Sequence, residues 1–364
     1  MDGFAGNISQ GVSDQIIKDK PVIMERKFYL DLLRVIAISA VVMIHVSADY
    51  VINPDNLIAF TIGNIFDSLS RLGVPLFLMI SGALILDENK EFNCKKKILS
   101  LLIPWFTWSF FYALGFKVVL PILRRESFSF LGFIAAFLKG HFHLWYMWAI
   151  IGLYLITPIL RKFVKKENKK IVAYFIVLSL LFQFTKPIIT LLFEEIGFIS
   201  KLEGTYTYIF ENLNLDFLGG LTTYFLTGWF LSNINLKKLT VTILYIMGSL
   251  GLMCIIIFTQ ILPHQYILTY SNLGLFVFFY SVAIFLFVKN MCPKSKSSTR
   301  AVNGLSNLSF GVYLIHMFVH TIVAYVLPKN PLFIPVIFLV TITISVMISY
   351  VISKIPVAKK TIRA

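Results

Sequence analysis

The sequence predicts an all-α polytopic membrane protein with about ten transmembrane helices and both termini in the cytoplasm. Of its 364 residues, 57% are hydrophobic and only 14% are charged, which is too apolar for a soluble or disordered chain of this length. Ten mostly apolar runs follow one another, each close to the length of about 20 residues that crosses a bilayer as a helix. Lys and Arg, which give a net charge of +15, cluster between these runs.

The ten predicted spans lie near residues 28–48, 66–87, 98–120, 144–163, 171–193, 215–233, 240–262, 271–289, 305–327 and 332–353. They form one membrane domain, 28–353, between a cytoplasmic N-terminal segment, 1–27, and a cytoplasmic C-terminal tail, 354–364. Polar clusters bound most of the spans, and no loop is long enough to form a separate soluble domain. Lys186 and Pro187 interrupt the fifth span, so we expect its helix to end at Thr185.

The distribution of Lys and Arg orients the spans. With the N-terminus in the cytoplasm, 24 of the 33 Lys and Arg residues lie in inner segments and 7 in outer ones. Cytoplasmic loops of membrane proteins carry such an excess. The positive charge therefore indicates topology and attraction to anionic membrane lipids, and no nucleic-acid partner is expected. The two remaining cations, Arg34 and Arg71, lie within spans.

The first span carries several ionisable side chains, which are costly inside a membrane and usually mark function there. Arg34 and His45 share one helix face and lie about 16 Å apart along its axis. Asp31, three residues before Arg34, is close enough to pair with it, and Asp49, four residues after His45, can orient its imidazole. A structural ion pair and a hydrogen-bonded core histidine are the simpler interpretations. The coincidence of these groups on one face favours a functional site.

Four motifs resemble those of the integral-membrane acyltransferase 3 family, in the same order, from residue 28 to about 350. The family begins with Arg or Lys, ten residues and then His, as Arg34 and His45 do. The later motifs here read Arg71-Leu-Gly-Val-Pro-Leu-Phe77-Leu-Met-Ile-Ser81-Gly82, His143-Leu-Trp145-Tyr146 with Pro158 following, and Ser309-Phe-Gly-Val-Tyr313-Leu-Ile-His316. One departure is Leu78, which stands where the family often has a second Phe.

The resemblance implies an enzyme that moves an acyl group, usually acetyl, from cytoplasmic acetyl-CoA to a hydroxyl of a carbohydrate or lipid-linked sugar outside the membrane. It implies a multi-pass protein of a bacterial cell membrane, and we expect no metal. His45 is then the catalytic base, with Arg34 and Asp31 as catalytic residues on the donor side. The remaining expected roles are acyl-CoA binding by Arg34, Arg71 and Ser81, and acceptor binding by His143, Trp145, Tyr146, Tyr313 and His316. Ser81, Tyr313 and His316 are also the candidates to stabilise the oxyanion of the reaction.

Other interpretations remain open on the sequence alone. A transporter or flippase for a glycan or lipid intermediate would also have many spans and intramembrane charge, although no repeat relates the two halves of this chain. Trp145 and Tyr146 can be interfacial aromatic residues. Arg71 would lie at the extracytoplasmic end of the span 66–87, which favours an anchor or a cleft role over contact with CoA phosphates.

Three further features have both a functional and a structural interpretation. His141 and His143 flank the fourth span and can contact the acceptor or cap the helix. His316 and His320 share a helix face but lack a third metal ligand. The outer segment 194–216, rich in Glu and Tyr, is either an acceptor surface or a solvated loop.

Overall fold

The computed structural model describes residues 27–197, 200–213, 219–292 and 299–362, and their regular secondary structure is entirely helical. The predicted N-terminal segment lies outside these residues except for Lys27. Eight helical segments are long and apolar enough to cross a membrane. The sixth and eighth predicted spans correspond to two shorter helices, Leu221–Asn233 and Leu275–Met291. The predicted all-α membrane fold with about ten spans is confirmed.

The principal helices of the described chain are α1 (Phe28–Ile52), α2 (Leu57–Ser70), α3 (Gly73–Ile85), α4 (Cys94–Leu114), α5 (Phe130–Lys139), α6 (Trp145–Phe163), α7 (Lys169–Ser179), α8 (Lys186–Glu195), α9 (Glu203–Leu213), α10 (Leu221–Asn233), α11 (Lys238–Ile261), α12 (Leu275–Met291), α13 (Arg300–Val326) and α14 (Ile334–Lys354). Helix α1 is central, because α2, α3, α12, α13 and α14 all pack against it. Its Leu33, Ala37 and Val42 are fully buried. Helices α11 and α14 expose apolar side chains such as Met253 and Leu339, as expected of lipid-facing helices.

Several of the described spans are interrupted along their length, and three of the interruptions bear on the site or on the predicted boundaries. Helices α2 and α3 form the span Leu57–Ile85, with a tight turn at Arg71 and Leu72. Helices α5 and α6 form Phe130–Phe163, broken from Gly140 to Leu144, where Gly140 has φ 75°, a conformation that favours glycine. Helices α7 and α8 form Lys166–Glu195, and the predicted break before Pro187 is present as a π-helical turn, Leu180–Phe184, followed by a new helix.

Two predicted span boundaries need correction. The second span begins at Leu57 and the fourth at Phe130, well before the predicted starts at 66 and 144. Their first halves contain polar side chains that hydropathy assigns to loops. In α2 these side chains are buried, as Asn64, Asp67 and Ser68 show. Arg71 and His143 therefore lie within their spans and not at the outer ends, and non-helical backbone at such a depth is tolerated where protein covers it or where it lines a cavity.

The predicted C-terminal tail folds back on the bundle as far as the structure describes it. Helix α14 ends at Lys354, and the chain continues through a short turn, Ala358–Thr361. The Trp108 Nε1 of α4 donates a hydrogen bond to the Thr361 carbonyl oxygen at 3.0 Å. Ile362 is buried close to Gly311 of α13. The end of the described chain therefore packs between α4 and α13.

Helices α3 and α10 cross at two glycines. A Cβ atom at Gly82 would collide with the carbonyl group of Phe225, and one at Gly228 with that of Met79. Small residues let membrane helices approach backbone to backbone, and this contact holds the short α10 inside the bundle.

Gly228→Ala is therefore expected to destabilise the protein by at least about 1–3 kcal/mol, because the added methyl group has no space. The matched control is Gly152→Ala in α6, where a Cβ atom meets nothing within 4 Å. That change replaces a helical glycine and is expected to be neutral or slightly stabilising. Thermal unfolding of the two detergent-purified variants measures the difference, and equal melting temperatures would show that the α3–α10 crossing is loose.

Candidate active site

Four histidines from three segments meet at one face of the central helix α1, which contributes one of them. His45 lies on α1, His316 on α13, and His141 and His143 on the break between α5 and α6. The ring centre of His45 is 5.2 Å from that of His316 and 6.4 Å from that of His143. The His143 and His316 ring centres are also 5.2 Å apart. The structure thus brings His45, His143 and His316, predicted from separate motifs, into one cluster, to which His141 is added.

The hydrogen bonds of His316 fix which of its ring nitrogens carries the proton. Its Nδ1 lies 2.7 Å from the carbonyl oxygen of Tyr313 and 3.1 Å from that of Val312. A carbonyl oxygen only accepts hydrogen bonds, so Nδ1 must be the donor. The Nε2 of neutral His316 is then a base, and this atom is buried without a hydrogen-bond partner among the described residues. His316 can therefore accept a proton within the cluster.

The break between α5 and α6 contacts α13 through a hydrogen bond and α4 through ring stacking. The Tyr313 hydroxyl donates to the His143 carbonyl oxygen at 2.7 Å. The Nδ1 atoms of His141 and His143 lie 2.8 Å apart, so one of them donates to the other. Tyr112 of α4 stacks on His141, with 4.4 Å between ring centres. These contacts fix the two histidines of the break and leave the Nε2 of His143 without a partner in the described chain.

His45 is partly accessible, and neither of its ring nitrogens is hydrogen-bonded to another described residue. The expected support from Asp49 is absent, since no hydrogen bond joins the two side chains in the described structure. The Asp49 carboxylate is exposed and interacts electrostatically with His320 instead. The imidazole of His45 is thus available to a bound molecule.

The predicted pairing of Asp31 with Arg34 is present near the N-terminal end of α1. Arg34 Nη1 lies 3.7 Å from Asp31 Oδ1, and Ser306 Oγ of α13 joins the two, accepting from Arg34 at 3.1 Å and donating to Asp31 at 2.8 Å. Asp31 is buried, whereas the Arg34 side chain is 27% exposed. Because Arg34 and His45 lie about 16 Å apart along α1, Asp31 orients Arg34 and does not contact the histidines.

Tyr146 and Tyr313 lie between the Asp31–Arg34 pair and the histidine cluster. Tyr146 lies near Ser81 and interacts electrostatically with Arg34. Its ring centre lies 5.8 Å from that of Tyr313, which in turn is 5.6 Å from that of His143. Polar side chains therefore continue from Arg34 through Tyr146 and Tyr313 to the histidine cluster.

The structure separates two other predicted site residues from this line. Trp145 is 44% exposed, and the described ring contacts join it to Tyr146 and not to a histidine. Arg71 lies at the turn between α2 and α3, paired with Asp67, with its guanidinium 3.9 Å from the ring centre of Tyr270. It interacts electrostatically with His45, so it belongs with the histidine cluster and not with the Asp31–Arg34 pair.

Several residues of the site were missed from the sequence. Asp67 is four residues before Arg71, a spacing that predicts an ion pair on a helix and could have identified it. Ser306 of α13 and Tyr270, in the turn before α12, reach the site from distant parts of the chain, and no local pattern indicates them. Among the described residues, no group of three or more His, Cys, Asp or Glu side chains is arranged to hold a metal ion.

Comparison with known proteins adds one match. A family model described as an acyltransferase domain matches residues 27–350, which include the histidine cluster and the Asp31–Arg34 pair. No curated protein and no solved structure matches the chain.

Proposed function

Because the chain belongs to the integral-membrane acyltransferase 3 family and is a membrane acyltransferase, we propose that it moves an acyl group from cytoplasmic acyl-CoA to a carbohydrate outside the membrane. The donor is acetyl-CoA, and the acceptor is a hydroxyl of a surface polysaccharide or lipid-linked sugar. The protein acts as a multi-pass protein of the bacterial cell membrane. One observation carries the proposal: polar side chains run from Arg34 at the inner end of α1 to His45 and its neighbours toward the outer end.

The inner end suits the donor. CoA carries phosphate groups and carbonyl oxygens, which a guanidinium binds with strong, directional hydrogen bonds. Arg34 is oriented by Asp31 and Ser306, and Lys97 of α4 interacts electrostatically with it. The long pantetheine arm of acetyl-CoA would pass Ser81 and Tyr146 and bring the thioester to His45.

The outer end suits the chemical step. Neutral His45 takes the proton of the acceptor hydroxyl as the oxygen attacks the thioester carbonyl carbon. The new C–O bond forms, the tetrahedral oxyanion collapses, and the C–S bond breaks. The imidazolium returns its proton to the CoA thiolate, so an ester and a free thiol result with no net change in protons. His143 and Tyr313 would hold the acceptor beside His45, and His316 Nε2 is a second proton acceptor in the same cluster.

Binding of the donor tests the proposal. Acetyl-CoA at 100 times its Kd is expected to stabilise the detergent-purified protein by about 2.7 kcal/mol and so to raise its melting temperature. Acetate and pantetheine, which lack the phosphates, serve as controls and should produce little change. An unchanged melting temperature with acetyl-CoA, together with counterflow of a glycan precursor in vesicles, would favour a transporter.

A further inference from the structure

The proposed transfer needs a group that stabilises the oxyanion beside His45. Of the three candidates named from the sequence, two already donate their hydrogen elsewhere and the third lies away from His45. The Tyr313 hydroxyl donates its hydrogen to the His143 carbonyl oxygen. Neutral His316 carries its only proton on Nδ1, where it donates to backbone carbonyl oxygens. Ser81 lies near Tyr146, eight residues along α3 from the Gly73 that packs against Val41, and so about 12 Å along the helix from that level. None of these groups offers a free donor to a developing negative charge at His45.

Arg71 lies at the level of His45. The first turn of α3 packs against α1 at Ala37 and Val41, because a Cβ atom at Gly73 would lie 3.0 Å from the Val41 Cγ2 and 3.2 Å from the Ala37 carbonyl oxygen. His45 is the next residue outward on the same face, one turn beyond Val41. Arg71 precedes Gly73 by two residues and so is displaced outward, toward His45. The electrostatic interaction between Arg71 and His45 agrees with this placement.

The Arg71 guanidinium is held from two sides. It forms an ion pair with Asp67, whose Oδ2 also accepts a hydrogen bond from Ser47 Oγ of α1 at 3.3 Å. The ring of Tyr270 covers it at 3.9 Å, and the Tyr270 hydroxyl donates to Asn64 Oδ1 at 2.7 Å. The Nε of Arg71 is buried and has no hydrogen-bond partner in the described chain. The cation is thus fixed in place with donor capacity to spare.

The ion pair of Arg71 and Asp67 is costly to bury. Desolvation of two charges within a membrane protein often exceeds their mutual attraction, and a well-packed apolar pair of similar volume would give equal or greater stability. Ionisable groups inside a membrane bundle therefore indicate function unless a structural role is demonstrated.

We propose that Arg71 is a catalytic residue whose guanidinium donates a hydrogen bond to the acyl carbonyl oxygen as it becomes the tetrahedral oxyanion, and that Asp67 and Tyr270 position it. The inference rests on the proposed acyl transfer and adds the group that stabilises its charged intermediate. Fixed donors aimed at developing charge stabilise a transition state because they do not have to reorganise during the reaction. Arg71 would then affect the rate of the chemical step more than the binding of acetyl-CoA.

Exchanging the charges of Arg71 and Asp67 distinguishes a catalytic role of Arg71 from a structural role. Arg71→Gln is expected to lower kcat by about 100- to 1000-fold, the usual effect of losing one oxyanion donor, while acetyl-CoA still raises the melting temperature. The double variant Asp67→Arg with Arg71→Asp keeps an ion pair but moves the cation. Its melting temperature should recover relative to Arg71→Gln, while its kcat should stay low. Recovery of kcat in the double variant would show that the pair is only structural.

Two further variants keep the test decisive if the exchanged pair fails to fold. Arg71→Lys keeps the ion pair but loses the planar fork, so its kcat should fall about tenfold or more with little loss of stability. Thr242→Ala is the control, since Thr242 is exposed on α11 and its hydroxyl donates to the Lys238 carbonyl oxygen of the same helix, and its kcat should stay within about threefold of wild type. Wild-type kcat in Arg71→Lys and Arg71→Gln would overturn the inference. A wild-type protein that transfers no acyl group would instead overturn the proposed function on which it rests.

Discussion

His45→Ala is expected to abolish acyl transfer while the protein remains folded. General base catalysis contributes about 10²- to 10⁴-fold to a rate. His45 is the member of the cluster that lies on the central helix, and neither of its ring nitrogens is hydrogen-bonded to another described residue. Its removal breaks no hydrogen bond that the described structure contains. The melting temperature of the variant, and its stabilisation by acetyl-CoA, should therefore stay close to wild type. The rate of transfer to the native acceptor is the measurement.

Two other histidines serve as comparisons. His264→Ala changes an exposed histidine that bonds to Glu195 far along the chain, and it should leave the rate unchanged. His316→Ala removes the second proton acceptor of the cluster and is expected to lower the rate less than His45→Ala does. If the order is reversed, the base is His316 Nε2 and His45 only positions the acceptor. Full activity of His45→Ala would exclude it from the chemistry.

Arg34→Gln is expected to weaken acetyl-CoA binding and to remove most of the thermal stabilisation that the donor produces. A hydrogen bond to a charged group contributes about 1.5–3 kcal/mol, so the KM for acetyl-CoA should rise about 10- to 100-fold. The change also leaves Asp31 buried near a neutral side chain, which destabilises the fold. The double variant Arg34→Gln with Asp31→Asn removes that uncompensated charge. It therefore isolates the effect of losing the guanidinium on acetyl-CoA binding.

Arg34→Lys provides the matched control, because it keeps the charge near Asp31 and loses only the planar guanidinium. Its stability should stay near wild type and its KM should lie between those of wild type and Arg34→Gln. An unchanged KM in all three variants would place the donor elsewhere, and the Asp31–Arg34 pair would then be a structural ion pair.

Much of the fold follows from the sequence because its physical causes are local. Apolar length predicts helices that can cross the bilayer, and eight such segments are present in the described chain. The alignment of Arg34 with His45 follows from helix geometry, and so does the pairing of Asp31 with Arg34, which the structure confirms at 3.7 Å. The break before Pro187 follows from the missing amide hydrogen of proline.

The remaining features depend on contacts between distant segments. Hydropathy alone assigns the polar part of α2 to a loop. Asn64 of α2, however, donates to the Ile256 carbonyl oxygen and to Gln260 of α11 at 3.0 and 3.1 Å. That network makes the polar first half of the second span compatible with burial, and Arg71 then lies within the candidate span Leu57–Ile85. Ser306 and Tyr270 complete the site from α13 and from the residues before α12. Such partners are set by tertiary packing, and hydropathy along the chain does not indicate them.

The central claim is that the acyl group passes from an inner donor to an outer acceptor along the polar side chains between Arg34 and His45. Vesicles that contain purified protein, with labelled acetyl-CoA trapped inside and the acceptor glycan added only outside, test this claim most directly. Wild-type protein should label the outer glycan while the donor stays enclosed, and His45→Ala should not. Labelling that occurs only when donor and acceptor share one side of the membrane would contradict the claim.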